Sequence, residues 1–243
     1  RIGSFFRGFA PCMIAIVFFA GLVAAQKDFG GPVVICIVGT IMVFVAGAKW
    51  SHLIAAAFPL GGIAGWLIVT DPERVSRLMI YLDPWQDPMD EGYNLIQSMA
   101  AFARGGLLGQ GAGAGEQKLH YLPAAHTDFI FAVWGEEMGL VGTLTMVAIF
   151  AALLLFASRV AANAPDFFGS MLATGIAALF TLQAAINMAV ATGLVPTKGL
   201  TLPFVSAGGT SLIVNMALAG VLLNIALHSS LPEKRRRLAP VAA

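Results

Sequence analysis

Asp128, set directly against the apolar run FIFAVW, is the residue in this sequence with the clearest potential for chemistry. A carboxylate beside so much apolar surface is costly unless it has partners or a task. Two histidines, His120 and His126, precede it, and Glu116 and Lys118 stand further upstream. These residue types fit three kinds of chemistry. Thr127 or Asp128 can cap the helix that the apolar run begins, satisfying its free N–H groups. Asp128 in a partly dry site has a raised pKa and can act as a general base. His120, His126 and Asp128 can together bind a metal ion, although their spacing matches no standard site. Other chemistries are excluded by what is missing. The glycine-rich run GQGAGAG (109–115) lacks the Lys-Ser/Thr of a phosphate-binding P-loop, so a nucleotide or other organic cofactor is not expected, and there is neither a GxSxG nucleophile elbow nor an HExxH pair.

The elements that must position these groups are apolar. The 243 residues are 58% hydrophobic and 11% charged, and mean hydropathy is +0.82. A soluble domain carries roughly 25% charged residues. The chain is therefore expected to be an all-α integral membrane protein, with six transmembrane helices at about 8–25, 30–48, 53–70, 138–157, 168–192 and 209–229. No Asp, Glu, Lys or Arg falls inside these runs, and Asn187 and Asn215 within them are expected to bond across helix contacts. Cys12 and Cys36 lie in apolar runs and read as small core residues. The net charge of +1 and the absence of a basic stripe beyond the short tail at 230–243 give no sign of a nucleic-acid partner.

Lys and Arg set the orientation. Arg1, Arg7, Lys49, Arg159 and Lys234 to Arg237 fall on one side, while the short loops opposite carry only Lys27 and Lys198. The positive-inside rule places both ends in the cytoplasm. The turn QKDFG (26–30), the long loop at about 71–137 and the loop PTKGLTLP (196–203) then share the extracytoplasmic face. The long loop is expected to be structured. DPERVSRLMIYLDPWQDP reads as turns. YNLIQSMAAFARGGLL reads as an amphipathic helix at the interface, with Leu95, Met99 and Phe102 on one face. Glu136 and Glu137 are expected to be interfacial. The cations Lys27, Arg74, Arg77, Arg104, Lys118 and Lys198 on this face fit either a solvated surface near headgroups or a site for a membrane-tethered anion such as a lipid diphosphate.

Five strings carry a resemblance: QKDFG (26–30), YLDPWQDP (81–88), GYNLIQSMAAFARGGLLGQG (92–111), QKLHYLPAAHTDFIFAVWGEE (117–137) and PTKGLTLPFVSAGGTS (196–211). They resemble the SEDS family, the shape, elongation, division and sporulation proteins, and KLHYLPAAHTDFIF and PTKGLTLP look more like its division branch. The resemblance implies the C-terminal part of a ten-span fold. It implies a peptidoglycan glycosyltransferase that polymerises lipid II on undecaprenyl diphosphate at the outer face of the cytoplasmic membrane. The matching aspartate is Asp128, which the resemblance makes the base toward an acceptor 4-hydroxyl. A divalent cation (Mg or Mn), a class B penicillin-binding protein acting as transpeptidase, and other divisome proteins are implied as cofactor and partners. Inversion needs one base, and a diphosphate leaves without an acid if cations stabilise it. Arg77, Arg104, Lys118 and Lys198 are the expected diphosphate contacts, with Arg74 in support. His126 and Thr127 are expected to orient Asp128, while Gln26 and Asp28 match a QPDxG turn and Ser206 and Ser211 an SxGGxS motif, by packing or by binding. Lys27, Ala124 and Ala207 stand where the family usually has proline, glutamate and tyrosine. A lipid II flippase or a non-catalytic scaffold would use the same surfaces without chemistry, but charge-free spans with polar residues gathered on one face favour an enzyme.

Overall fold

A computed structural model describes residues 4–26, 30–89, 92–115, 127–197 and 199–230. They form eight α-helices and no strand: α1 (Ala10–Ala24), α2 (Gly30–Val45), α3 (Trp50–Val69), α4 (Pro72–Leu82), α5 (Tyr93–Gly105), α6 (Ile130–Ala162), α7 (Phe167–Ala191) and α8 (Gly209–Ser230). A π-helical turn at Phe5–Phe9 leads into α1, and a 3-10 turn at Pro84–Gln86 follows α4. Among the described residues, three helices are long and apolar enough to cross a membrane: Ile130–Ala162, Phe167–Ala191 and Gly209–Ser229. The first three apolar runs also fold as helices, of 15, 16 and 20 residues, the last with Pro59 inside it.

The core lies between α6 and α7. At one end Phe129, Phe131, Val133 and Met146 pack with Ala184, Val190, Ala191 and Leu202, and α5 adds Ala101. At the other end Ala157, Val160, Ala173, Ile176 and Phe180 meet Leu222 and Ile225 of α8. Alanines at these crossings let the backbones approach closely, as membrane helices require. The α1–α2 hairpin leans on α7 through α2, where Gly175 faces Met42.

The segment at 71–137 departs from the sequence reading. Pro72 is the first residue of α4, so the Asp-Pro pair starts a helix where a turn was expected. The helix at 93–105 exists as expected, and it packs on α6. Its buried face is Leu95, Ser98, Ala101 and Gly105, while Met99 is exposed. Small residues face inward because α5 crosses α6 backbone to backbone: a Cβ on Gly105 would lie 2.1 Å from the Gly135 carbonyl oxygen. Ser98 ties α5 to the end of α7 by donating to the Ala191 carbonyl at 2.5 Å.

Helix α6 begins at Ile130, well before the expected 138, and it is broken at Gly139 (φ 66, ψ −162). The strap at 106–111 fills the break by exchanging hydrogen bonds with it. Leu140 and Val141 donate their N–H groups to the carbonyls of Gly106 and Leu107 (2.9 and 3.2 Å). In return Gln110 and Gly111 donate to the carbonyls of Glu136 and Glu137 (3.0 Å each). Four backbone groups at the break are thus bonded by the strap. The strap can come this close because Gly109 and Gly139 have positive φ and no side chain. A Cβ on Gly109 would lie 2.1 Å from the Glu137 carbonyl oxygen. Gly109→Ala should therefore destabilise the protein by roughly 3 kcal/mol or more. Gly111→Ala has open space and only a positive φ to bear, and should lose about 1–2 kcal/mol. Unfolding of both variants in detergent micelles checks the difference.

Candidate active site

Asp128 lies in the short turn that feeds α6. The N-cap position is Phe129, with no side-chain cap; its carbonyl accepts from Ala132 and Val133 at 2.9 and 3.3 Å. Neither Thr127 nor Asp128 fills the cap position, so the capping reading fails. Packing is the cause: Phe129 and Phe131 are both buried in the α6–α7 core, which sets the register of the turn. Asp128 is left half-buried. Burial pushes its carboxyl above the usual value, opposed by a weaker downward pull from a hydrogen bond to the Thr127 side chain.

Two buried residues hold the turn. Asn187 of α7, 1% exposed, donates from Nδ2 to the Asp128 carbonyl (2.8 Å) and to the Leu200 carbonyl (2.7 Å). Ser206 donates from its hydroxyl to the Thr127 carbonyl and accepts from the Leu202 N–H at 2.8 Å. The loop at 196–203 is thereby fastened to the aspartate turn, and its backbone passes the carboxylate: a Cβ on Gly199 would lie 3.5 Å from Asp128 Oδ2. The first turn arrives at the same place, since a Cβ on Gly30 would lie 3.0 Å from Leu200 Cγ. Gly30, the aspartate turn and residues 199–200 therefore meet at this end of the bundle. Tyr81 of α4 also reaches this end of the bundle, donating to the Leu194 carbonyl at 2.9 Å.

The remaining expected site residues fall in several places. Ser211 bonds the Thr201 hydroxyl (3.0 Å) and accepts from Asn215 Nδ2 (3.4 Å), so both serines of the SxGGxS motif act within the loop's own frame. Arg77 is exposed on α4 and Gln26 is exposed just beyond α1. Arg104 is 43% exposed and stands 3.8 Å from Glu136 Oε1. Glu136 itself is 0% exposed, which corrects its expected interfacial place; the α5–α6 crossing and the Arg104 partner bury it. Lys27, Asp28, Glu116, Lys118, His120, His126 and Lys198, the side chain of Arg74 and the basic tail lie outside the described residues. Among the described residues no three His, Cys, Asp or Glu side chains gather as a metal site. Asn187 was legible only as a polar residue in a span; its position opposite the 200 loop gives it its role.

The site is thus a half-buried carboxylate, held by backbone clamps, at one end of a multi-pass bundle of apolar helices. A family model for the cell cycle proteins FtsW, RodA and SpoVE matches residues 2–231. The chain belongs to this family. It is 46% identical over 226 residues to the probable peptidoglycan glycosyltransferase FtsW of Geobacter sp. (strain M18), covering 93% of this chain and 61% of that protein. It is 43% identical over 231 residues to the stage V sporulation protein E of Bacillus subtilis (strain 168), covering 94% and 63%. Among solved structures it resembles a chain from a study of how a peptidoglycan synthase complex coordinates polymerisation and crosslinking (TM-score 0.77, 30% identity, 92% of this chain and 63% of that one). It also resembles the rod shape determining protein RodA of Thermus thermophilus (TM-score 0.61, 26% identity, 92% and 57%). The chain spans about three fifths of the length of these relatives.

The clamps make a prediction. Asn187→Ala leaves two buried carbonyls without their donor and should destabilise the protein by about 2–4 kcal/mol. Asn224→Ala, at an exposed position of α8, should change stability by less than about 0.5 kcal/mol. Denaturant unfolding in micelles compares the two.

Proposed function

We propose that this chain forms the C-terminal, six-span part of a ten-span peptidoglycan glycosyltransferase, most like the FtsW branch, that polymerises lipid II during cell division. The observation that carries the proposal is Asp128: a half-buried carboxylate of raised pKa, fixed at its own backbone carbonyl and at its neighbour's, with the Gly199 backbone alongside. The names of the relatives supply the reaction class. In this reading residues 1–243 are a single membrane domain in the cytoplasmic membrane. Both ends of the chain are cytoplasmic, and α4, α5 and the aspartate turn face outward.

The acceptor's 4-hydroxyl gives its proton to the Asp128 carboxylate as its oxygen attacks the anomeric carbon of the donor sugar. The new glycosidic bond forms as the bond from that carbon to the phosphate oxygen breaks, and the undecaprenyl diphosphate leaves with the electron pair. Attack from the face opposite the leaving group inverts the anomeric centre. Arg77, Arg104, Lys118 and Lys198, with Arg74 in support, are the proposed contacts for the diphosphate. His126 and Thr127 are proposed to orient Asp128, with Gln26, Asp28, Glu136, Ser206 and Ser211 in support. A divalent cation, Mg or Mn, would neutralise charge on the diphosphate when bound. Asp128 is a carboxylate that could help hold it, and no step is assigned to the ion. A class B penicillin-binding protein and other divisome proteins are the proposed partners, and the bilayer supplies the lipid substrate.

Asp128→Asn in the full-length protein, assayed with its transpeptidase partner, lipid II and a divalent cation, should slow glycan polymerisation by roughly 10²–10⁴-fold. Stability should move the other way. A carboxyl raised in the folded state contributes stability below its unfolded pKa, and this is lost as pH rises through the folded one. At neutral pH the charge is therefore a net cost, and the variant should melt no lower than wild type. A variant that polymerises at the wild-type rate removes Asp128 as base. A wild type that moves labelled lipid II across liposomes without polymerising it makes the protein a transporter.

A further inference from the structure

The break in α6 divides it into a short segment, 130–138, and a long one, 140–162, joined at Gly139. Asp128 stands at the far end of the short segment, roughly 15 Å from the break at 1.5 Å per residue. A tilt of roughly 10° at the break would move the carboxylate by between about 2 and 3 Å. A shift of about 1 Å in a reacting group can cost about 10²-fold in rate. The angle at Gly139 is therefore a quantity the reaction depends on, and something must hold it.

The strap at 106–111 holds the backbone of the break, and one side chain sits where strap, break and α5 meet. Glu136 is fully buried. Its Oε1 faces Arg104 Nη1 at 3.8 Å, from the last turn of α5. Its Oε2 lies against Gly115, where a Cβ would be 2.8 Å away. Its backbone carbonyl accepts the strap's Gln110 N–H. One residue thus touches the strap's backbone, the chain that leaves the strap and the helix that enters it. Trp134 spans the same break from the other side, donating from Nε1 to the Gly142 carbonyl at 2.9 Å.

We propose that the Glu136–Arg104 pair is the clasp that keeps the strap in the α6 break, and that Glu136 is thereby a positioning residue for Asp128. It acts through the angle of the 130–138 segment and not by touching substrate. This role rests on the glycosyltransferase reading above and goes beyond the general support assigned to Glu136 and the diphosphate contact assigned to Arg104. Burying a carboxylate is costly without a charge near it, and Arg104 stands beside this one at 3.8 Å. The strap has few side chains of its own with which to grip, being GGLLGQG over 105–111.

The test uses the full-length protein with its partner and compares Glu136→Gln, Arg104→Gln and the double variant with wild type. The first readout is hydrogen exchange at residues 106–111 and 140–141, which needs no activity. Both single variants should raise exchange there at least tenfold while the α7 amides keep their protection. The second readout is polymerisation. Turnover at saturating lipid II should fall about 10–100-fold in each single variant, the double variant should lose no more than the worse single, and Arg104→Lys should recover part of the loss. Unchanged exchange in both single variants overturns the clasp. Losses that multiply in the double variant overturn it too, since the two residues would then act separately. If Glu136→Gln does not fold, Arg104→Gln, altered at the exposed end of the pair, carries both readouts. Full activity of Asp128→Asn would sink the glycosyltransferase reading while leaving the exchange result to decide the clasp.

Discussion

Backbone groups freed by the break at Gly139 need new hydrogen-bond partners. The break separates the part of α6 that carries the aspartate turn from the part that crosses the bundle. The strap at 106–111 meets the requirement with four hydrogen bonds, two in each direction. The strap's glycines, the close α5–α6 crossing at Gly105 and Gly135, and the burial of Glu136 all follow from bringing that strap to backbone distance. In membrane proteins irregular backbone is tolerated where protein encloses it or where it lines a cavity. Here it is tolerated within one helix turn of a fully buried acid.

The far end of the same segment is fixed by different means. Asn187 and Ser206 take hold of carbonyls, not side chains, so the Asp128 carboxylate stays available for chemistry while its backbone does not move. The short segment 130–138 is therefore held at both ends, by α7 and the 196–206 loop above and by α5 and the strap below. Holding the group beforehand matters more for a base than attracting its substrate does, since the entropy of placement is then met before the reaction begins. The raised proton affinity of the carboxyl has the same origin, because the packing of Phe129 and Phe131 that fixes the turn also removes water from one side of it.

Much of this was legible in the residues, and the limits were physical. Apolar runs located α6, α7 and α8, because a run near twenty residues without charge has few other fates. Counting spans puts the 26–30, 71–137 and 196–203 segments on one face, and Gly30, Asp128 and the 199–200 backbone do lie together. Four features were not legible. Pro72 was read as part of a turn, yet proline suits the first turn of a helix, and only the eleven-residue α4 that follows decides the matter. The inner face of α5 is only partly marked by its large residues: Leu95 and Phe102 turn inward, but Met99 is exposed and the close crossing selects Ser98, Ala101 and Gly105. Glu136 was placed at an interface because its partner is far off in sequence, and no local pattern announces that Arg104 will stand beside it. The cap reading of Asp128 failed likewise: local spacing allowed it, and burial of the next side chain removed it.

The central claim is that Asp128 is a base whose proton affinity is raised by the burial that holds it. The rate of polymerisation at saturating lipid II, followed as pH is lowered in a protein shown to stay folded, tests this directly. The account predicts a rate that falls as one proton is taken up, with its midpoint above the ordinary aspartate value of 3.8. A rate that stays level down to that value, or falls only below it, would contradict the account.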